Sequence, residues 1–512
     1  MIKENNFKKN DKIELDIVDM TKEGLGLAKL DGQVFFVKDG LLGDKVEANI
    51  TKVTKNIIYA KVCKIIEESK YRVPSSCDVA NACGGCQLLC LNVMEQLKLK
   101  IKYVNQCLTN IGKFGEENSD IVYYDGASFC MDAVHFRNKM QVPFAKKNGE
   151  IIYGFYAGRT HHIVEFKKCI VGFNGAELIL DAVKSSLIKH NISIYDEVSG
   201  AGAFREVMLR IGNVSKEVSL TCIINDSKYE SNLSKYKDFD RDVRENVQSA
   251  ISQSKSIDDL SKIDKEAQVD FKIVTSTLNI NTSNNNVLFG NKNIVLYGEG
   301  YIEDSIGDIK YHISPESFYQ VNMEMTKDIY DKVVKFAEFN GDENVLDLYC
   351  GIGTISLYIA KHVKKVVGLE IVKKAVENAI QNAKLNNIKN AEFICEDLSK
   401  IDIESLIGLK KSEKNGEKLS KVDYKILMNK DETYDTIIVD PPRKGLDDKT
   451  IDFIKNVNPK KIIYVSCDPA TLARDLDILC HKMSLYKLEK IANVDMFPHT
   501  MHIETIAKLN RL

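Results

Sequence analysis

The chain has 512 residues, of which 44% are hydrophobic, and its formal net charge is −2. This length accommodates about three or four domains, and the balanced charge excludes a global basic field, so any contact with RNA depends on local patches. No run of about 18 apolar residues is present, and the first residues lack the apolar region of a secretory signal. We therefore expect neither a membrane span nor secretion.

The 13 cysteines are odd in number and dispersed along the chain. In a large chain without a secretory signal, this pattern argues against a disulfide framework and favours a reducing cytoplasm. Some of the cysteines are then expected to be metal ligands or catalytic groups.

Residues 1–66 contain short strand patterns separated by glycine turns. Apolar and polar residues alternate over 12–18, and further strands are predicted over 33–37, 44–48 and 57–62. Even strand spacing of this kind predicts a small closed β-barrel. The pattern fits an RNA-binding module and a generic β-module equally well.

A cysteine segment follows the predicted barrel. Cys77, Cys83 and Cys86 place three thiols within ten residues, with two glycines that allow a tight turn. Thiolates suit an iron–sulfur cluster or a zinc site, although the spacing differs from the paired CxxC of zinc ribbons. Cys169 is a candidate for a distant fourth ligand, and Cys90 is a competing candidate.

The rest of the chain divides by its periodicity. Residues 91–113 have apolar residues at helical spacing, and 120–305 are rich in strand patterns. Within that region, 225–268 is polar and is predicted to be helical or loosely ordered. From 314 onwards, strands and helices alternate, which predicts a parallel sheet with crossover helices. The lysine- and glutamate-rich stretch 399–431 is predicted to be a solvated insertion.

A glycine-rich turn follows the strand predicted at 344–348 and leads into a helix. Glycines allow the backbone to approach a ligand closely, and a helix N-terminus adds a favourable field. Glu370 ends the next strand, where it can bind ribose hydroxyls, and Asp397 follows a third strand, where it can meet an adenine amino group. The spacing is not that of a dinucleotide-binding loop. The series instead resembles a class I S-adenosylmethionine methyltransferase, although each acid alone could cap a helix.

Two further strand ends carry candidate catalytic groups. A strand over 434–439 ends in an Asp-Pro-Pro-Arg turn, which presents Asp440 at the carboxyl edge of the sheet. Amino-methyltransferases have an aromatic residue where Arg443 stands here, which disfavours amine chemistry. Cys467 follows another strand and precedes a proline. A thiolate at this place can add to C6 of uracil and make C5 nucleophilic.

The C5 proton of such an adduct must be removed by a base. The segment 499–504 supplies candidates, of which Glu504 is the predicted base, while His499 and His502 are expected to position the substrate or to cap the last strand. The alternative for Cys467 is a buried, small apolar residue without a chemical role.

Together these motifs resemble the RNA uracil-5-methyltransferase family of the bacterial iron–sulfur type, which makes 5-methyluridine in 23S ribosomal RNA. The resemblance implies a TRAM-like, OB-like RNA-binding β-barrel over 1–66 and a central β-rich iron–sulfur domain over 67–305. It also implies a Rossmann-like α/β class I methyltransferase domain over 306–512. In this family the helix after the cysteines packs on the catalytic domain.

The resemblance also implies a role for individual residues. Cys467 is expected to be the nucleophile and Glu504 the base. Four cysteines are expected to bind a [4Fe-4S] cluster: Cys77, Cys83, Cys86 and Cys169. Six residues are expected to contact S-adenosylmethionine: Gln320, Tyr349, Thr354, Glu370, Asp397 and Asp440. Tyr349 stands where Phe is common in the family and Thr354 where Asn occurs, but neither change removes a required functional group.

RNA is the expected partner, with 23S ribosomal RNA favoured because a barrel and a cluster accompany the catalytic domain. Residues 135–139 combine an aromatic ring with basic and amide groups, and 202–206 are similar, so both are candidate contacts for an unstacked nucleotide. The target uridine must be flipped out for the thiol to reach it. The alternatives are a transfer RNA enzyme, an amino- or cytosine-methyltransferase, and a non-catalytic RNA-binding protein. A cytoplasmic monomer is expected.

Overall fold

The structure is a computed structural model that describes residues 7–80, 82–115, 123–131, 133–158, 160–257, 269–285, 287–398 and 433–512. The insertion predicted at 399–431 lies outside these residues. The described strands form an N-terminal sheet, a central sheet, a two-stranded hairpin and a C-terminal sheet. No helix in the described part of the chain is both long enough and apolar enough to cross a membrane.

The N-terminal sheet has six strands in the order β1-β5-β6-β4-β3-β2. Their bounds are Lys12–Asp16, Asp19–Met20, Gly26–Leu30, Gln33–Lys38, Lys45–Val53 and Ile57–Glu67 for β1 to β6. Buried and more exposed residues alternate along β4 and β5, so one face of the sheet forms a core around Phe35, Val46 and Ile58. This period of two is the one the sequence predicts.

Helix α1 (Val93–Asn110) follows the cysteine segment and begins where the Asn92 side chain accepts a hydrogen bond from the Glu95 N–H. The helix packs against the C-terminal domain rather than against the central sheet. Strand β7 (Tyr123–Ser128) then pairs with the edge of the C-terminal sheet. The chain therefore contributes α1 and β7 to the C-terminal part of the molecule before it forms the central sheet.

The central sheet has the order β10-β9-β8-β11-β12-β13-β14. Its strands are Lys139–Lys147, Glu150–Tyr156, Ile163–Glu165, Phe204–Ile211, Glu217–Ile224, Lys272–Ile280 and Lys292–Tyr297 for β8 to β14. Helices α2 (Ala176–Lys189) and α3 (Tyr229–Ile257) pack against each other beside this sheet. The polar segment after residue 225 therefore contains a long helix, while 258–268 lie outside the described residues.

A hairpin of β15 (Ile302–Ile306) and β16 (Ile309–Ile313) leads to α4 (Met323–Ala337) and the C-terminal sheet. That sheet has the order β19-β18-β17-β20-β21-β23-β22-β7. Its strands β17 to β23 are Asn344–Leu348, Lys365–Glu370, Ala391–Cys395, Thr436–Val439, Lys461–Ser466, Tyr486–Val494 and Glu504–Arg511. The helices are α5 (Thr354–Ile359), α6 (Lys373–Leu385), α7 (Asp448–Val457) and α8 (Pro469–Leu476).

Strands β17 to β21 are parallel, and β23 runs antiparallel between β21 and β22. Nearly every residue of β17, β20 and β21 is buried, as expected for strands that helices cover on both faces. This is the predicted α/β Rossmann-like architecture. Because its parallel strands end at one edge, the residues that follow them are brought together there.

Candidate active site

The strand register places the predicted site residues along the carboxyl edge of the C-terminal sheet. Leu348 pairs with Val439 in the neighbouring parallel strand, so Tyr349 and Asp440 follow at the same level. On the other side, Glu370 ends β18 opposite Cys395 of β19. Acids that are far apart in the sequence therefore lie in a row at one edge of the sheet.

The antiparallel pair of β21 and β23 completes this row. Ser466 pairs with Thr505, and the same register carried one step further opposes Cys467 to Glu504. Cys467 is half-buried at the end of β21, and Asp468 then caps α8 by accepting the N–H groups of Ala470 and Thr471. A proline inside the first turn of α8 fits this sharp change from strand to helix.

A cavity of about 750 Å³ opens along this edge. The predicted residues that line it are Gln320, Tyr349, Glu370, Asp397, Asp440, Cys467 and Glu504. Thr354 lines a narrow recess that Gln320, Tyr349 and Asp440 also line, and its hydroxyl accepts a hydrogen bond from Tyr330 at 2.8 Å. The structure therefore brings all eight predicted cofactor and catalytic residues to one continuous site.

The glycine-rich turn takes the backbone conformations that close approach to a ligand requires. Tyr349, Gly351 and Gly353 have φ angles of 66°, 55° and 80°. A Cβ atom on Gly353 would lie 2.8 Å from the ring of Phe393, whereas one on Gly351 would meet nothing within 4 Å. Gly351 therefore leaves open space beside the cavity, and Gly353 allows the turn to pack on the sheet.

Glu370 also braces this turn. Its carboxylate accepts the Gly351 N–H at 3.1 Å and the Val372 N–H at 2.9 Å. These bonds hold the carboxylate at the rim of the cavity, where its remaining lone pairs can accept hydroxyl donors. The structure thus supports both the capping role that a lone acid would have and a ligand-binding role.

Asp347 is a site residue that the sequence reasoning missed, although it opens the glycine-rich motif. It lines the recess, is almost completely buried, and its Oδ1 has no hydrogen-bond partner among the described residues. Burial, and then repulsion from Asp440 and Glu370, raises the pKa of Asp347 to about 7. Burial likewise raises the pKa of Asp440 to about 7. An acid within an otherwise apolar strand was the available signal, because a buried carboxyl needs a partner.

This recess is suited to a cationic ligand. Two buried carboxyl groups with raised pKa values gain stability when a positive charge enters, because an opposite charge favours their ionised forms. S-adenosylmethionine carries a sulfonium and an ammonium group. Asp347 and Asp440 would face that part of the molecule, with Glu370 and Asp397 at the end of the cavity that suits the nucleoside.

The loop that carries Gln320 is fixed by the central sheet. The Asn138 side chain donates to the Gln320 carbonyl at 2.9 Å, and the Asn138 N–H donates to the Val321 carbonyl at 2.9 Å. The buried Arg210 donates to the Ser317 carbonyl at 2.8 Å. Asn138 belongs to the segment predicted to face RNA, but it is buried and instead anchors this loop.

The second predicted RNA contact also has internal partners. The Arg205 guanidinium lies 4.4 Å from the centre of the Tyr195 ring and donates to the carbonyls of Asn281 and Ser283. This arginine therefore fastens a loop to the central sheet. Its guanidinium is not a free surface cation.

Cys467 and Glu504 have strongly perturbed acidities. Burial, together with the nearby carboxylates of Glu504 and Asp440, raises the pKa of the Cys467 thiol to about 12. Burial, together with Asp440, raises the pKa of Glu504 to about 8. Arg443 opposes both shifts because its positive charge favours the thiolate and the carboxylate. The free site therefore holds a protonated thiol beside carboxyl groups that titrate near neutral pH.

The four predicted cluster cysteines line one small apolar cavity, together with Val79, Leu89, Phe155 and Phe166. Cys90 is not among its lining residues. Burial raises the pKa of Cys86 to about 12, with further contributions from Cys169 and Cys83. Among the described residues, no three His, Cys, Asp or Glu side chains are arranged to hold a single metal ion.

Residues 238–512 match the model of the tRNA (uracil-5-)-methyltransferase family, and residues 7–63 match the TRAM domain. A Bacillus cereus protein described as an RNA methyltransferase is 38% identical over 504 residues, covering 98% of this chain and 97% of the relative. A Clostridium acetobutylicum protein with the same description is 37% identical over 505 residues, covering 99% and 98%.

The fold resembles the crystal structure of Pyrococcus abyssi tRNA (uracil-54, C5)-methyltransferase in complex with S-adenosyl-L-homocysteine. The TM-score is 0.68 at 24% identity, over 97% of this chain and 99% of that one. The fold is that of a class I methyltransferase. The chain belongs to the uracil-5-methyltransferase family of RNA-modifying enzymes, with a TRAM domain at its N-terminal end.

Alkylation kinetics of Cys467 should reveal its raised pKa. Below about pH 9 the iodoacetamide rate at Cys467 should rise about tenfold per pH unit, because only the thiolate reacts. Glu504→Gln should react severalfold faster at pH 9, since it removes a negative charge that raises the thiol's pKa. The measurement is mass spectrometry of the Cys467 peptide, with Glu14→Gln on the barrel surface as control. A rate that is already constant from neutral pH upwards would contradict a raised pKa of the Cys467 thiol.

Proposed function

We propose that this protein methylates C5 of uracil in RNA through a covalent bond between Cys467 and C6 of the base. The observation that carries the proposal is the β21–β23 register, which opposes the Cys467 thiol to the Glu504 carboxyl beside the cofactor cavity. A nucleophile and a base at one site are what methylation of an electron-poor ring carbon requires.

The thiol of Cys467 adds to C6, and its proton passes to the neighbouring Asp440 carboxylate, so that Glu504 stays ionised for the later step. The electron pair of the C5–C6 double bond moves toward C5 and O4, so that C5 becomes the nucleophile. S-adenosylmethionine, when bound, supplies a methyl group on a positively charged sulfur. C5 takes this methyl group and then carries both a methyl group and a hydrogen.

Glu504 then removes the C5 proton, the C5–C6 double bond re-forms, and the C6–sulfur bond breaks to release a thiolate, which takes its proton back from Asp440. Over the cycle the base exchanges one hydrogen for a methyl group, and one proton is released. A carboxyl with a pKa of about 8 is a stronger base than an ordinary glutamate and remains partly ionised near neutral pH. The positive charge of Arg443 favours the ionised forms of Glu504 and Cys467.

We further propose 23S ribosomal RNA as the substrate. Support comes from the combination of a TRAM domain with four cysteines around one cavity, which is typical of the ribosomal branch that the motifs resemble. Transfer RNA is the second candidate, because the family model and the Pyrococcus abyssi enzyme are both described as acting on it. The division into units at 1–66, 67–305 and 306–512, the cytoplasmic location and the monomeric state remain predictions.

Trapping with 5-fluorouridine RNA tests the covalent route. Fluorine at C5 cannot leave as a proton, so the wild-type protein with S-adenosylmethionine should form an RNA adduct that resists denaturing electrophoresis. Cys467→Ala should form no adduct and should lose methyl transfer by several orders of magnitude, since the thiol is the attacking group. Cys63→Ala, an exposed cysteine of the barrel, is the matched control. Unchanged turnover by Cys467→Ala would exclude the proposed chemistry.

The substrate is tested by mapping 5-methyluridine in a strain that lacks the gene. Loss of the modification from 23S ribosomal RNA, with transfer RNA unaffected, is the expected result. Restoration by the wild-type gene but not by the Cys467→Ala gene assigns the loss to this enzyme. Loss from transfer RNA alone would favour the second candidate.

We also propose that Cys77, Cys83, Cys86 and Cys169 bind a [4Fe-4S] cluster. The donor set fits this group, because the four thiols surround one apolar cavity and thiolates are the ligands that iron–sulfur clusters take. A cluster spaces its ligand sulfurs more widely than a single ion does, which is compatible with the absence of a single-ion site among the described residues. The cluster would join the cysteine segment to the central sheet.

Anaerobic purification should therefore yield about four iron and four sulfide ions per chain. Cys169→Ser should lower both values and the visible absorption, because it removes the ligand that comes from the central domain. Cys90→Ser should keep the wild-type content, since Cys90 does not line the cavity. A wild-type protein without sulfide would rule out the cluster.

A further inference from the structure

Helix α1 contacts the segment that leads to Glu504, the predicted base. This segment, residues 495–504, joins β22 to β23 and begins with Asp495 and Met496, both fully buried. Phe497, His502 and Glu504 line the active-site cavity. Two of the side chains that hold its first five residues are Gln96 and Lys100, which are one turn apart on α1 and completely buried. The Ser128 carbonyl and the Asn322 side chain contact Asp495 and Met496 as well.

Gln96 uses both ends of its amide to hold His499. Its Oε1 accepts the His499 backbone N–H at 2.8 Å, and its Nε2 shares its two hydrogens among the carbonyls of Leu88 and Leu91 and His499 Nδ1, which lies 3.2 Å away. The other ring nitrogen of His499 lies 2.8 Å from the Ala133 carbonyl. Burial lowers the pKa of His499, so the ring is neutral, with Nε2 donating and Nδ1 accepting.

The backbone at His499 has an uncommon conformation. Its φ angle is 65°, in the left-handed region that few residues other than glycine occupy, although histidine, asparagine and aspartate do so more often than the rest. The Leu88 N–H also donates to the His499 carbonyl at 2.9 Å. The backbone N–H of His499 is thus held by α1, and its carbonyl is held by the cysteine segment.

Lys100 holds the start of the same segment. Its Nζ lies 2.6 Å from Asp495 Oδ1 and 3.1 Å from the Phe497 carbonyl, and neither side chain of the ion pair is exposed. Burial lowers the pKa of Lys100, against the opposing effect of Asp495. A buried ion pair contributes little net stability compared with a well-packed apolar pair, so stability alone does not account for it.

We propose that Gln96 and Lys100 are positioning residues that set the place of the Glu504 carboxylate relative to the Cys467–uracil adduct. Only four residues separate His499 from Glu504, and Met501 between them is buried against the N-terminal barrel core. A shift at 495–499 therefore moves the base, while the residues that bind the cofactor lie on other strands. The inference rests on the proposed function, because it assigns these two residues to its proton-removal step.

Removal of the C5 proton is the step that a displaced base slows, and the covalent adduct on ordinary RNA then accumulates. Gln96→Met should lower kcat on the order of tenfold to a hundredfold, the effect of a displacement of about 1 Å, without changing the KM for S-adenosylmethionine. The RNA adduct on unfluorinated substrate should increase in the same sample. Gln106→Met, an exposed glutamine on the same helix, is the matched control.

Lys100 is tested by the double variant Lys100→Met with Asp495→Leu. This variant replaces the ion pair by an apolar pair and leaves no unpaired buried charge, so it should fold and bind S-adenosylmethionine as the wild type does. The expected result is again a lowered kcat with accumulated adduct. Lys98→Met, an exposed position two residues away, should behave as the wild type.

Glu504→Gln separates the two levels of the proposal. If Glu504→Gln accumulates adduct while Gln96→Met and the double variant turn over at the wild-type rate without it, the positioning role is wrong and the covalent route stands. If Glu504→Gln makes no adduct, the assignment of the base fails and the positioning role fails with it. Variants of α1 that raise the KM for S-adenosylmethionine in proportion to the loss of kcat would also refute a specific effect on the base.

Discussion

The pairing of β21 with β23 is the constraint on which the site depends. An antiparallel strand inserted at this position returns the chain to the carboxyl edge, so a residue from its beginning meets a residue from the end of β21. Cys467 and Glu504 are separated by a whole helix and another strand along the chain, yet backbone hydrogen bonds determine their opposition. A slip of one residue would turn one of the two side chains to the other face of the sheet. Chemistry at this site therefore needs an intact sheet register.

That register concentrates negative charge. Asp347 and Glu504 are buried near the same cavity and Asp440 is half-buried there; desolvation of the ionised forms raises the pKa of all three, and repulsion from Asp440 adds to the shifts of Asp347 and Glu504. Burial, followed by repulsion from Glu504 and Asp440, raises the pKa of the Cys467 thiol, which disfavours a free thiolate before substrate binds. A cationic methyl donor relieves the repulsion, and Arg443 partly offsets it. With the proposed roles, this charge pattern favours a cationic methyl donor and keeps the Cys467 thiol protonated in the free site.

Much of this site follows from local sequence patterns. Strands that end in an acid, a glycine turn or a cysteine predicted Glu370, Asp440 and Cys467 as neighbours, because parallel strands share a carboxyl edge. Periodicity likewise predicts the helix before residue 113 and the alternation of apolar and polar residues along the barrel strands. The stretch 135–139 is predicted as a candidate RNA contact because it is basic, aromatic and amide-rich, but Asn138 within it is buried. Its burial depends on the loop around Gln320, which is almost 200 residues away, and no local pattern contains that information.

The contacts of α1 also cannot be predicted from local sequence patterns. Its apolar spacing predicts a helix, but Gln96 and Lys100 are polar residues on its buried face, and their partners lie about four hundred residues later. Polar groups are buried at a cost unless they are paired, so their positions are determined by the geometry of the 495–499 segment. The Leu88 N–H donates to the His499 carbonyl, so a single hydrogen bond joins the end of the cysteine segment to the loop that leads to Glu504. Order in the cysteine segment and order at the proposed base are therefore physically linked, whatever group the cysteines hold.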